Sequence, residues 1–175
     1  DYWSRIRELC TKNGIMLIAD EVLSGFFRTG RWFGIDHFNV VPDMITMSKG
    51  LTAGYAPLGA VLVRQEIADY FEHEMLWCGL TQYGHSFSCA TARAALGFYE
   101  RENIKDNVNA RGAELAEMLS ALKREHSLVA EVRSIGLLAA IDLKKSAIDE
   151  RPLVPYRATG EDLLPATRLQ TLLKQ

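Results

Sequence analysis

Two residues stand where they could do chemistry together, Asp20 and Lys49. Each follows a short apolar run. Ile15-Met16-Leu17-Ile18-Ala19 ends abruptly in Asp20-Glu21, and Met44-Ile45-Thr46-Met47 is followed at once by Ser48-Lys49-Gly50. The first run reads as a strand buried on both faces, as in a parallel sheet under helices. In open α/β sheets, ligands collect outside the carboxyl ends of the strands, so both side chains could reach one crevice. A carboxylate beside a low-dielectric site is stable only with a cationic or hydrogen-bonding partner. A lysine there is costly as an ammonium ion and grows more nucleophilic as its pKa falls.

Pyridoxal 5'-phosphate (PLP) meets both demands. Its aldehyde forms a Schiff base with a lysine amine, and its pyridine nitrogen takes a proton that a carboxylate can hold. The lysine, once a substrate amine displaces it, becomes the acid–base group that moves the substrate proton. A plainer reading stays open at this point. Strands ending in Asp-Glu are common, and Ser-Lys-Gly after a strand is often only a turn.

The elements that must position the pair follow from periodicity. Tyr2 to Lys12 places Trp3, Ile6, Leu9 and Cys10 on one helical face, and Asn13-Gly14 stops the helix. The two apolar runs give two strands. A third, Leu58 to Val63, leads into a helix around Glu66 to Phe71. The loop Gly25-Phe26-Phe27-Arg28-Thr29-Gly30-Arg31-Trp32-Phe33-Gly34 is too apolar to face only solvent, and is expected to pack over the active site or at a subunit interface. Ala92, Ala95, Leu96 and Tyr99 suggest one helix, and Ile104, Val108, Leu115, Leu119 and Leu122 another, with Gly112 allowing close packing. Val129–Arg133 and Leu137–Leu143 read as strands around a Ser134-Ile135-Gly136 turn, and Leu163 to Lys174 as a last helix. Helices and strands alternate to about Leu143, which points to an α/β architecture.

Bulk properties narrow the function. The 175 residues are 48% hydrophobic and 24% charged, with a formal net charge of −2. That balance leaves no basic footprint for nucleic acid or an acidic membrane surface. No apolar stretch approaches the roughly 20 residues that span a bilayer. Three cysteines without a CxxC pair read as reduced thiols of a cytoplasmic protein, and four scattered histidines show no metal-ligand spacing. Ser120-Ala121-Leu122-Lys123 matches SxxK, but it lies on an amphipathic helix with no partner motif. Dinucleotide and P-loop glycine patterns are absent.

The longer motifs resemble a known family. Leu17-Ile18-Ala19-Asp20-Glu21-Val22, then Gly25-Phe26 and Arg28-Thr29-Gly30, is similar to the signature of class III aminotransferases. Pro42 to Thr52, then Pro57-Leu58-Gly59-Ala60, resembles their cofactor-lysine segment. Gly79-Leu80-Thr81 with Gly84-His85, and Val132-Arg133-Ser134-Ile135-Gly136-Leu137, resemble two later motifs in the same order. The resemblance implies a fold type I PLP-transferase. Residues 1–104 would be the later part of a mostly parallel-sheet large domain, and 105–175 an interdomain helix and the start of a small α+β C-terminal domain. It implies Lys49 as the cofactor-bearing catalytic residue, Asp20 on the pyridinium, Val22 against the ring face and Thr81 on the phosphate. Thr81 would reach the neighbouring active site of a homodimer. The style of the motifs is similar to taurine–pyruvate and other ω-amino-acid aminotransferases, which implies an amino donor, a keto acid such as pyruvate as acceptor, and a cytoplasmic location.

Departures from the pattern are specific. Phe27 stands where the family has glycine, Gln82-Tyr83 precede Gly84, and Ser86 replaces a proline. The chain opens on Asp1, and family members extend further at both ends, so it is expected to be an internal piece, inactive by itself. The alternative function is a non-catalytic truncated remnant of such an enzyme.

Overall fold

The computed structural model describes residues 2–174, and the chain divides after Ala110 into two compact units. In the first, helix α1 (Tyr2–Lys12) turns Trp3, Ile6 and Cys10 onto Leu17, Ala19, Ile35 and Val40. Leu9, expected on the same face, remains exposed. The helix closes as anticipated. Gly14 takes φ +64°, the Ile15 N–H reaches back to the Cys10 carbonyl at 2.8 Å, and the Gly14 N–H to that of Thr11 at 3.4 Å. This is the two-bond glycine stop that satisfies the last carbonyls of a helix.

Strand β1 (Ile18–Asp20) runs parallel to β2 (Met44–Met47), with Ile18 opposite Met44 and Asp20 opposite Thr46. Strand β3 (Ala60–Val63) lies antiparallel on the other side of β2, so the order is β1-β2-β3. The expectation of burial on both faces fails for β1. Ala19 is buried with the α1 cluster, whereas Ile18, pointing the opposite way, is 54% exposed. Among the described residues, α1 covers the Ala19 face of β1, and hydrophobicity in the chain cannot report which faces receive cover. Val61, Leu62 and Val63 of β3 are likewise exposed.

Helix α2 (Gln65–His73) follows β3, and an exposed connection leads to α3 (Ser86–Arg101). Ala92, Leu96 and Tyr99 share one face of α3 and join a second core with Phe26, Met47 and Leu51. The aromatic loop therefore packs inward. Phe26, Phe27, Trp32 and Phe33 stack among themselves and with Tyr99, the Phe27–Trp32 centroids 4.3 Å apart.

Helix α4 (Ile104–Glu125) passes through the division into the second unit. There β4 (Val129–Ile135) and β5 (Leu138–Leu143) form an antiparallel hairpin, and α5 (Leu164–Leu172) comes near the end of the chain. The hairpin is longer than its hydrophobic runs suggest. Ile135 pairs with Leu138, which leaves a two-residue turn of Gly136 and Leu137, with Gly136 at φ +54°. Short hairpin turns put a left-handed residue at the first central position, where glycine costs least. Gly112 does allow close packing: a Cβ there would lie 2.9 Å from the Gly136 carbonyl oxygen.

Candidate active site

The parallel pairing of β1 and β2 decides the geometry. Both strands leave the sheet at the same end, and neighbouring strands lie about 4.8 Å apart. Asp20 is the last residue of β1, and Lys49 comes three residues after Thr46, its register partner. Both are exposed, and Val22, half-buried, follows two residues after Asp20. The Asp20 carboxylate accepts a hydrogen bond from the Val22 N–H at 3.1 Å.

Glu21 has the opposite task. Its backbone N–H continues the ladder to the Thr46 carbonyl at 2.9 Å, while its side chain, 3% exposed, turns inward. One carboxylate oxygen accepts from the Gly34 N–H at 2.8 Å and from the Ser24 hydroxyl, the other from the Ile35 N–H at 2.7 Å. A buried carboxylate is tolerable when hydrogen bonds replace its lost water. This one staples the loop that follows β1. The sequence shows Asp-Glu as one acidic end; strand alternation separates them into an outward acid and an inward fastener.

The Lys49 turn is held more tightly than a plain Ser-Lys-Gly would suggest. Residues Lys49–Thr52 form a 3-10 turn, and Lys49 itself sits at φ +39°. The Ser48 hydroxyl donates to the Leu58 carbonyl at 2.9 Å, and the buried Thr52 hydroxyl to that of Ala56 at 2.6 Å. Gly50 is pressed against Phe26, where an added Cβ would lie 2.8 Å from both the Phe26 Cβ and one ring carbon. Phe26 and Phe27 occupy the left-handed region at φ +56° and +65°. That conformation costs about 1–2 kcal/mol for a residue with a Cβ, and it accounts for glycine being at home at position 27. Here buried aromatic contacts with Trp32 and Tyr99 offset the strain.

Behind this end of the sheet, Asp43 ties the other end together. Its carboxylate accepts from the Leu17 N–H at 2.7 Å and from Arg7 at 2.8 Å, with Arg64 at 3.6 Å. Burial alone would raise its pKa, but the Leu17 hydrogen bond, the Arg7 hydrogen bond and the two cationic charges outweigh it and hold the pKa below the ordinary carboxylate value. Asp43 stands just before β2, and nothing in its neighbours along the chain signals this role.

Thr81 lies on the exposed connection between α2 and α3, in a turn closed by the Tyr83 N–H on the Leu80 carbonyl at 3.0 Å. The structure thus brings Asp20, Val22 and Lys49 to one end of the β1–β2 pair, with Thr81 on a separate segment. Among the described residues, no group of three or more His, Cys, Asp or Glu could hold a metal ion, and no helix is long and apolar enough to cross a membrane.

Residues 1–168 match the family described as Aminotransferase class-III. The chain belongs to the class III aminotransferases. These are transferases whose cofactor is PLP, and the donor set fits that molecule: an amine for an aldehyde, a carboxylate for a ring nitrogen and a valine for a ring face. This class III chain is 35% identical to the diaminobutyrate–2-oxoglutarate transaminase of Halomonas elongata, over 98% of its own length and 38% of that protein's. It is 36% identical to the taurine–pyruvate aminotransferase of Bilophila wadsworthia, over 87% and 35% of the two lengths. Among solved structures, the taurine:2-oxoglutarate aminotransferase of Bifidobacterium kashiwanohense, in complex with PLP and glutamate, superposes with a TM-score of 0.91 at 39% identity, covering 98% of this chain and 39% of that one. The fold is that of the fold type I transaminases, and the chain spans well under half the length of these relatives.

Proposed function

We propose that the protein is a PLP-dependent transaminase that moves an amino group from an ω-amino acid to a keto acid such as pyruvate. The observation that carries this reading is the placement of one amine and one carboxylate, Lys49 and Asp20, at the same end of neighbouring parallel strands. The relatives that act on taurine and diaminobutyrate support the donor class. When bound, PLP supplies an aldehyde for an amine and a protonated ring that draws electrons from the bond being broken. Lys49 would be the residue that holds the cofactor, and its amine would move the proton at the substrate carbon. Asp20 would keep a proton on the ring nitrogen, its carboxylate oriented by the Val22 N–H. Val22 would hold the ring face, and Thr81 would hold the phosphate in the neighbouring subunit's site of a homodimer. Residues 1–104 then belong to the cofactor-binding large domain and 105–175 to the interdomain helix and small domain, in a cytoplasmic enzyme.

Borohydride reduction tests the assignment of Lys49. With the protein expressed from its complete reading frame and loaded with PLP, the reduced cofactor should map by mass spectrometry to the peptide carrying Lys49. Lys49→Ala should lose both the label and transamination. A label on any other lysine would overturn the reading.

A further inference from the structure

Lys49 projects from a turn whose backbone is gripped on both sides, and one grip comes from outside the loop. The Tyr99 hydroxyl, from α3, donates to the Gly50 carbonyl at 2.6 Å. We propose that Tyr99 is a positioning residue for Lys49, fixing the direction of the amine through the Gly50 carbonyl. This rests on the reading of Lys49 as the cofactor-bearing residue.

The argument starts from the backbone. At φ +39°, Lys49 occupies a region that L-residues avoid, because the Cβ crowds the following carbonyl oxygen. A lysine left to itself would relax toward negative φ, and its Cα–Cβ bond would swing with it. Such conformations persist only where the surroundings over-determine them. Here the surroundings consist of Ser48 fastened to Leu58 on one side and Gly50 on the other. Gly50 is held through two of its atoms. Its Cα is pressed on Phe26, and its carbonyl accepts from both the Tyr99 hydroxyl and the Ala53 N–H.

Tyr99 is itself well held. It is part-buried in the core with Phe26, Met47 and Ala92, and its ring meets Phe26 and Phe27 at centroid distances of 6.3 and 6.4 Å. Burial pushes its phenol pKa up, more than the nearby Arg28 pulls it down, so the hydroxyl stays a donor through the range in which the protein would work. Phe27 and Tyr99 thus form one device. The phenylalanine placed at a left-handed position builds the wall that orients the tyrosine, and the tyrosine anchors the lysine turn.

The test is Tyr99→Phe, which keeps the ring and removes only the hydroxyl. The Gly50 carbonyl retains the Ala53 N–H, so no polar atom is orphaned and the variant is expected to fold. Amide exchange at residues 51–54 should quicken in the cofactor-free protein while that of the β4–β5 hairpin stays unchanged. In the PLP-loaded protein from its complete reading frame, kcat should fall about ten- to a hundred-fold with KM little changed, the scale of loss expected when a reacting group is misplaced. The pH midpoint of the bound cofactor's visible band should shift as well. Placing 4-aminophenylalanine in place of Tyr99 restores a donor and should recover both kcat and midpoint. A Tyr99→Phe protein with wild-type kcat and midpoint would overturn the inference, even if its melting temperature falls. Borohydride labelling of the wild type separates the two claims. A label on Lys49 with an unresponsive Tyr99→Phe sinks only this inference, and a label elsewhere sinks both.

Discussion

Adjacent residues of identical chemistry can have opposite fates. Asp20 and Glu21 are both carboxylates at the end of β1, yet the first is exposed and the second is 3% exposed with backbone N–H donors on both oxygens. The strand's period of two decides which is free to meet a ligand. The outward acid is therefore the one whose charge is available to a ring nitrogen. Asp20→Asn should leave PLP bound but lower kcat on the order of a hundred-fold, because the lost charge matters more in the transition state than in the ground state. Steady-state kinetics with a parallel PLP titration checks this. Unchanged turnover would make Asp20 a structural carboxylate.

At the scale of elements, Asp43 joins α1, the approach to β1, the start of β2 and the residue after β3 through Arg7, Leu17 and Arg64. Its carboxylate works only when ionised. Because its folded-state pKa lies below the ordinary carboxylate value, its contribution is fully present above that ordinary value. It is lost as the pH falls through the folded pKa. Asp43→Asn should cost about 1.5–3 kcal/mol at neutral pH, the range for hydrogen bonds to a charged group. Thermal or urea unfolding of wild type and variant should then converge as the pH is lowered below about 4. A gap that persisted in acid would show that the strap does not depend on charge.

The whole molecule holds two units, each with its own means of cohesion. The first closes over two cores, one under α1 and one between the aromatic loop and α3. The second depends on a close approach of α4 to the hairpin turn, where Gly112 meets the Gly136 backbone. Alanine is a better helix former than glycine by about 1 kcal/mol, so Gly112→Ala would stabilise an isolated helix. In this unit the new methyl group would lie 2.9–3.0 Å from main-chain atoms that have no flexible end to withdraw. The expected outcome is a net loss of about 1–2 kcal/mol, the usual scale of overpacking, read as a lower unfolding midpoint. An unchanged or raised midpoint would mean that the hairpin yields easily.

Much of this was legible in the chain because it is local. The span of α1, its glycine stop, β2 as Met44–Met47 and the acid and lysine after apolar runs all follow from periodicity, turn chemistry and motif, which are properties of neighbouring residues. The family followed from the order of those motifs. What the chain could not show is non-local. The direction of β3, the exposed outer face of β1 and the full length of the β4–β5 hairpin depend on which elements arrive beside them. The inward turn of Glu21, the strap at Asp43 and the reach of Tyr99 across 49 residues to Gly50 depend on the same thing. A side chain's type sets what bonds it can make, and sequence spacing sets which way it faces along its own element. Only the packing of elements brings a donor to an acceptor far away in the chain, and that packing turned a helix-face tyrosine into a partner of the lysine turn.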